Sequence, residues 1–323
     1  MSTVTSQEKT KILHASQIGD VNAIETFKKK HPEVHWCEIR HEKLGDTILH
    51  IAARLGHVPF IEYLLTHYSP AINFQNKDCK TPLHEAAQFS QSEAIRTLLA
   101  CKADVNALKR ADWTPLMLSC TKDDHECVRL LLEAGALVNV KNKDGWTALH
   151  LTSREGSTPI FELLSSYGSD PFAVTNNGRS ALHVASLHGH LEIVKRLIRA
   201  GVSVDARDNC RNTPLHEAVL GGHVKVCDYL LNCPADLGAV NSMGFCVLHL
   251  AASVGDITMI RYLVRLSTNL NASSCNKLTP LHCAARKQHT DAVRLLIQLG
   301  ADDTTLDNFG RSPMDYLHSV KLA

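Results

Sequence analysis

A tetrapeptide of the form Thr-Pro-Leu-His recurs along this chain with a constant spacing of 33 residues. It first occurs at Thr81, and copies or variants follow on the same period, beginning at Thr114, Thr147, Ser180, Thr213, Cys246 and Thr279. A further variant begins at Thr47, and the last copy of the series begins at Ser312, on the same period. A unit of this length cannot bury its own apolar face, so the chain must fold by stacking neighbouring units.

Each unit carries the signals of two short helices and a turn. Thr81 is suited to an N-cap and Pro82 to the first helical position, so a helix begins there. A Gly-His pair such as Gly189-His190 breaks the first helix, and apolar residues at helical spacing predict a second helix over residues 193–198. Residues 140–145 end in Asp-Gly, which predicts a tight turn, or finger, before the next unit.

This period and signature resemble the ankyrin repeat. The resemblance implies an all-α ankyrin-repeat solenoid in which each repeat is a helix-turn-helix followed by a β-hairpin finger. We predict a degenerate N-terminal capping repeat and an irregular loop over residues 1–44. About eight full repeats are expected over residues 45–309, and a short C-terminal cap over residues 310–323.

Composition limits the classes of function. A net charge of +1 disfavours direct nucleic-acid binding, and no apolar run is long enough to span a membrane. The eleven cysteines form no C-x-x-C pair, which is typical of reduced thiols. The sequence therefore predicts a soluble, monomeric protein of the cytoplasm, the nucleus or both.

Nineteen histidines raise the possibility of a metal site. Zinc requires four converging ligands, but seven of the histidines stand one per repeat at the fourth signature position. The ankyrin resemblance implies that they bond the capping residue and join adjacent repeats. These seven are His50, His84, His150, His183, His216, His249 and His282. The sequence also contains no phosphate-binding loop and no nucleophile motif, so we predict no cofactor, no metal and no enzymatic activity.

One position in each finger, directly before the helix cap, is expected to face a partner. Two of the three tryptophans, Trp113 and Trp146, occupy it in consecutive repeats. An aromatic side chain with a polar handle is a typical interface anchor, although packing against the neighbouring finger is the alternative. The other occupants are Asp46, Lys80, Arg179, Asn212, Phe245, Leu278 and Arg311.

Cations surround the two tryptophans and predict recognition of an acidic protein surface. The alternatives are an ordinary solvated turn and a contact with RNA, and the low net charge disfavours the latter. The predicted partner-binding residues are Lys80, Trp113, Trp146, Arg110, Lys141 and Arg179.

Two finger segments carry a closer resemblance. Residues 107–117, which include Lys109-Arg110-Ala111-Asp112-Trp113, and residues 141–146 are similar to a vertebrate ankyrin-repeat family. That family is understood to bind alanyl-tRNA synthetase and to accept misactivated serine on its lysine side chains. The resemblance therefore implies this synthetase as the partner. Capture of serine is needed because a pocket built for alanine cannot strongly reject a side chain that only adds a hydroxyl.

Only some of the serine-acceptor positions that this resemblance implies hold a lysine in this chain. Lys143 matches one acceptor position, whereas the second acceptor position holds Arg110, so the preceding Lys109 must substitute for it. A third acceptor position falls in residues 174–177, which contain no lysine. Lys143 and Lys109 are therefore the candidate serine acceptors. The alternative function is a generic ankyrin adaptor for another cytosolic or nuclear protein, which the fold supports equally well.

Overall fold

The structure of the protein is a computed structural model that describes residues 4–35, 39–67 and 71–318. It consists of two compact units, which meet in the sequence between Asp170 and Pro171. Trp36, the third tryptophan, lies outside the described residues.

The first unit contains ten α-helices among its described residues, with short 3-10 turns at Ala71–Asn73 and Arg110–Asp112. The helices form consecutive antiparallel pairs, one pair per repeat. They are α1 (Ser6–Ile18), α2 (Val21–Lys30), α3 (Ile48–Leu55), α4 (Val58–His67), α5 (Pro82–Gln88), α6 (Ser92–Ala100), α7 (Pro115–Ser119), α8 (His125–Glu133), α9 (Ala148–Glu155) and α10 (Thr158–Ser166).

The second unit repeats the same pattern. Its helices are α11 (Ala181–His188), α12 (Leu191–Arg199), α13 (Pro214–Leu220), α14 (Val224–Asn232), α15 (Val247–Val254), α16 (Ile257–Arg265), α17 (Pro280–Arg286), α18 (Thr290–Gln298) and α19 (Pro313–His318). The predicted all-α ankyrin-repeat architecture with paired helices is confirmed. Within each unit the first helix of a pair packs on the first helix of the next, burying side chains such as Leu83 and Ala86.

The predicted β-hairpin in each finger is wrong in detail. The described residues contain no sheet, only isolated antiparallel bridges at Arg40–Thr47, Lys109–Trp113 and Val174–Ser180. Each finger is too short for a ladder and closes as a turn. Within a unit, one backbone bond joins neighbouring fingers, as from Lys77 N to Leu44 O (3.0 Å) and from Lys143 N to Ala111 O (3.0 Å).

The signature histidines join the repeats. In the first of them, His50 Nδ1 accepts the Thr47 N–H (3.2 Å), and its Nε2–H donates to the carbonyl of Lys80 in the next finger (2.8 Å). The same pair of bonds recurs at His84, His183, His216, His249 and His282. These bonds require a neutral imidazole, so the cap of one repeat and the finger of the next are held together by one uncharged ring.

Candidate protein-binding site

The backbones of the two finger tryptophans are fixed while their indoles are half-buried. The Trp113 carbonyl accepts from Lys109 N (3.0 Å) and from His84 Nε2 (3.1 Å). The Trp146 N–H donates to Asn142 Oδ1 (2.8 Å), and its carbonyl accepts from Asn142 N (2.9 Å). Each tryptophan therefore has a fixed backbone and a partly accessible side chain.

A cation lies over each indole. The Lys109 Nζ is 5.3 Å from the centre of the Trp113 ring, and the Arg154 guanidinium carbon is 5.8 Å from that of Trp146. Both distances are within cation–π range. The two fingers thus present paired aromatic and cationic groups, which suit a partner surface containing both apolar and acidic groups.

Lys109 breaks the pattern that closes the other fingers. In seven fingers a short polar side chain at this position accepts backbone N–H groups of its own turn, as Asn76 Oδ1 does from Asp78 (2.9 Å) and Lys80 (3.0 Å). The equivalent residues, all buried, are Asn76, Asn142, Thr175, Asp208, Asn241, Ser274 and Asp307. A lysine ammonium cannot accept a hydrogen bond, so Lys109 closes its turn through backbone bonds alone.

The turn that follows Lys109 is strained. Ala111 and Asp112 both have positive φ angles, of 62° and 60°. The last residue of this turn has a positive φ in every other finger as well: it is a glycine at Gly45, Gly145, Gly178, Gly244 and Gly310 and a non-glycine at Cys79, Arg211 and Lys277. The positive φ of Ala111 is what distinguishes the finger of Lys109. Two consecutive non-glycine residues in the left-handed region cost of order 1–2 kcal/mol each, and such strain concentrates at functional sites.

Burial and a neighbouring charge act against the charged form of Lys109, whereas the face of the Trp113 ring favours it. Partial burial lowers the pKa of Lys109, and the neighbouring Lys80 ammonium lowers it further, while Asp78 and Glu85 oppose the shift. The other candidate acceptor, Lys143, is exposed at the tip of the next finger. Of the two candidates, Lys109 is therefore the partly desolvated lysine.

The structure places the remaining predicted site residues as follows. The largely buried Lys80 ammonium pairs with Glu85 (3.2 Å) and donates to Gln88 Oε1 (2.6 Å). Arg110 is exposed and lies 3.8 Å from Asp78, and Lys141 is exposed. Arg179 belongs to the second unit, where it pairs with Glu217. Lys109, Arg110 and Lys143 thus lie on the same two adjacent fingers as the tryptophans.

Two features of the site escaped the sequence analysis. Arg154 reaches Trp146 from helix α9, eight residues along the chain, and no local pattern marks that contact. Met117 occupies the signature histidine position, and its side chain has no N–H to donate to the Trp146 carbonyl, so that finger lacks the bond that His84 supplies to Trp113. The methionine at position 117 was the sequence signal from which the missing bond could have been predicted.

The described residues contain no group of histidine, cysteine, aspartate or glutamate side chains that could hold a metal ion. The ten cysteines among them are free thiols. No helix in the described ranges is both long and apolar enough to cross a membrane.

The sequence matches the family described as ankyrin repeats (3 copies) at residues 12–109, 102–175, 150–241 and 227–308. Among curated proteins, protein phosphatase 1 regulatory subunit 12A of Mus musculus is 34% identical over 80 residues, which are 25% of this chain and 8% of that protein. A transient receptor potential cation channel subfamily A member 1 homolog of Caenorhabditis elegans is 36% identical over 73 residues, 23% of this chain and 6% of that protein. The chain spans less than a tenth of either relative.

Among solved structures, the human ASB11 ankyrin repeat domain superposes with a TM-score of 0.62 at 26% identity. The match covers 69% of this chain and 99% of that one. The likeness extends over the repeats and does not identify a partner.

Proposed function

Because this chain belongs to the ankyrin-repeat family, we propose that it is a non-catalytic protein-binding scaffold and that its fingers at Trp113 and Trp146 bind alanyl-tRNA synthetase. The observation that carries the proposal is the pair of adjacent fingers in which a cation lies over a half-buried indole. The partner comes from the resemblance of these two fingers to ankyrin repeat domain-containing protein 16. A generic adaptor role for another protein is supported by the fold alone.

Replacing both tryptophans, Trp113→Ala with Trp146→Ala, is expected to abolish retention of this protein on purified alanyl-tRNA synthetase. Two aromatic anchors of about 2 kcal/mol each correspond to roughly a thousandfold loss of affinity. The matched control is Phe245→Ala, which removes an aromatic residue from the same finger position in the second unit. Retention of the double variant at wild-type level would exclude this interface.

We also propose that Lys109 and Lys143 accept serine misactivated by the synthetase. The neutral ε-amine attacks the carbonyl carbon of seryl-adenylate, a C–N amide bond forms, the C–O bond to phosphate breaks, and AMP leaves. The lysine proton passes to solvent. The side chain is consumed, so the process is capture without turnover.

Lys109 is expected to be the faster acceptor. An ordinary lysine with a pKa of about 10.4 is neutral roughly once in a thousand molecules at pH 7.4. Burial and Lys80 lower the pKa of Lys109, which increases the fraction of its amine that is neutral. Lys80→Gln removes this neighbouring charge and is expected to lower the ratio of acylation at Lys109 to acylation at Lys143.

Mass spectrometry after incubation with the synthetase, ATP and serine tests the capture. We expect seryl adducts at Lys109 before Lys143, and loss of the first adduct in Lys109→Arg, which preserves charge but cannot attack. Adducts at neither lysine, with binding intact, would leave the scaffold role and remove the capture role.

A further inference from the structure

An asparagine or aspartate at the start of five fingers is bound to the backbone of the following repeat. Its Oδ1 accepts the N–H of the residue 31 positions later, at distances of 2.9–3.0 Å. The five pairs are Asn73 with Asp104, Asn106 with Leu137, Asn139 with Asp170, Asp205 with Asp236 and Asn271 with Asp302. The Asn139 Nδ2 also donates to the carbonyl of Gly168, 29 positions later (3.0 Å), and Asn106 makes the equivalent bond to Gly135 (3.4 Å). One backbone N–H and one backbone carbonyl thus hold the carboxamide.

Gly238 occupies this position in the second unit and has no side chain to make either bond. The corresponding backbone groups are the Asn269 N–H, 31 positions later, and the Ser267 carbonyl, 29 positions later. Within the described part of the chain, neither group has a hydrogen-bond partner. Both residues are exposed, so this donor and this acceptor are open to a ligand from solvent.

A cavity of about 350 Å³ opens where the side chain is missing. Gly238, Ser267 and Asn269 all line it, which brings the donor and the acceptor to the same space. The apolar residues of the lining are Leu237, Val240, Val247 and Ala272. A cavity of this size with a mainly apolar lining and a few polar groups is typical of a small-molecule site.

Phe172 stands at the equivalent position of another finger, and there its ring fills the space. A Cβ on Gly201, which lies 29 positions after Phe172, would be 3.8 Å from the Phe172 Cζ. The ring therefore lies against the backbone that corresponds to Ser267. An apolar ring thus fits beside this part of the repeat, whereas at Gly238 the chain supplies no side chain of its own.

We propose that this space, the Gly238 cavity, binds a small molecule that carries a primary carboxamide on an apolar body. The ligand oxygen accepts the Asn269 N–H, and the ligand NH2 group donates to the Ser267 carbonyl, as the Asn139 side chain does in its own repeat. The apolar body packs against the apolar residues of the lining. A carboxylate is disfavoured, because it has no N–H for the carbonyl. The proposal concerns the second unit and does not depend on the synthetase partner.

The probe is benzamide, and its binding is followed by the shift of the Asn269 amide signal in two-dimensional NMR spectra of the full chain. We expect a saturable shift with a dissociation constant on the order of 1 mM, as for a small fragment. N,N-dimethylbenzamide has the same ring and carbonyl but no N–H. It is expected to bind about tenfold more weakly or worse, because it leaves the Ser267 carbonyl unpaired.

Gly238→Asn places a tethered carboxamide in the cavity and is expected to abolish the benzamide shift at Asn269. The matched control is Gly238→Ala, which adds a methyl group without an amide and is expected to keep binding within about threefold of the wild type. No benzamide shift in the wild type, equal binding of the dimethyl analogue, or unchanged binding in Gly238→Asn overturns the proposal.

N-acetylasparagine methylamide tests the other source of a carboxamide, an asparagine side chain of a protein partner. It lacks the apolar ring, so we expect it to bind more weakly than benzamide. Tighter binding than benzamide would overturn the small-molecule assignment and give the cavity to a partner's side chain instead.

Discussion

Lowering the pH from about 7.5 to about 4.5 is expected to reduce the free energy of unfolding by several kcal/mol, mainly through the buried signature histidines. Burial lowers the pKa of His84 from 6.5 to about 4, and burial likewise lowers the pKa of the equivalent rings. The folded protein therefore binds fewer protons than the unfolded chain between these values. The contribution of the buried rings to the free energy of unfolding is fully present above pH 6.5 and is lost as the pH falls toward 4. For His84 alone this loss is about 3 kcal/mol.

Urea unfolding followed by circular dichroism at several pH values measures this loss. Carboxylates with lowered pKa values, such as Asp46, take up protons at a lower pH than the unfolded chain's histidines do. A decline in the free energy of unfolding between pH 6.5 and 5 is therefore the histidine contribution. His84→Gln removes one of these rings and is expected to make the pH dependence less steep, whereas His125→Gln, at an exposed position, is expected to leave it unchanged. A free energy of unfolding that is constant across this range would contradict the role assigned to the rings.

Gly221→Ala is expected to destabilise the protein by about 2–4 kcal/mol, although alanine is normally the better helix former. Gly221 has an ordinary φ of −80°, so backbone strain is not the cause. A Cβ there would lie 2.2 Å from the carbonyl oxygen of Leu187 in the preceding repeat and 2.5 Å from His223 Cδ2. That carbonyl also accepts a bond from His223 Nε2 (3.0 Å), so the methyl group would force apart two joined repeats.

Gly238→Ala is the matched control. It adds the same methyl group at a glycine that also avoids positive φ, and its nearest neighbour would be Asp236 Oδ1 at 3.3 Å. We expect a change within about 0.5 kcal/mol in that variant. If thermal or urea unfolding gave the two variants equal stability, close approach of the repeats at Leu187 would not be what requires glycine.

The period of the signature was enough to predict the paired helices. Caps such as Thr81, helix starts such as Pro82 and breaks such as Gly189 act within a few residues, so local sequence specifies each of them. The positions of Trp113 and Trp146 in their fingers follow from the same period. The β-hairpins were wrong because a turn closed by one side chain, as at Asn142, leaves no length for a ladder.

The sequence by itself determined the repeat, its helices and the residues that occupy each finger, because these depend on contacts within one unit or on the same contact copied at a fixed period. Only the tertiary structure decided that Lys109 lies over Trp113 beside Lys80 and that Arg154 covers Trp146. It also decided that Gly238, Ser267 and Asn269 share a cavity. Burial and charge at these places depend on side chains from different helices and fingers, whose distances are fixed only when the repeats pack together.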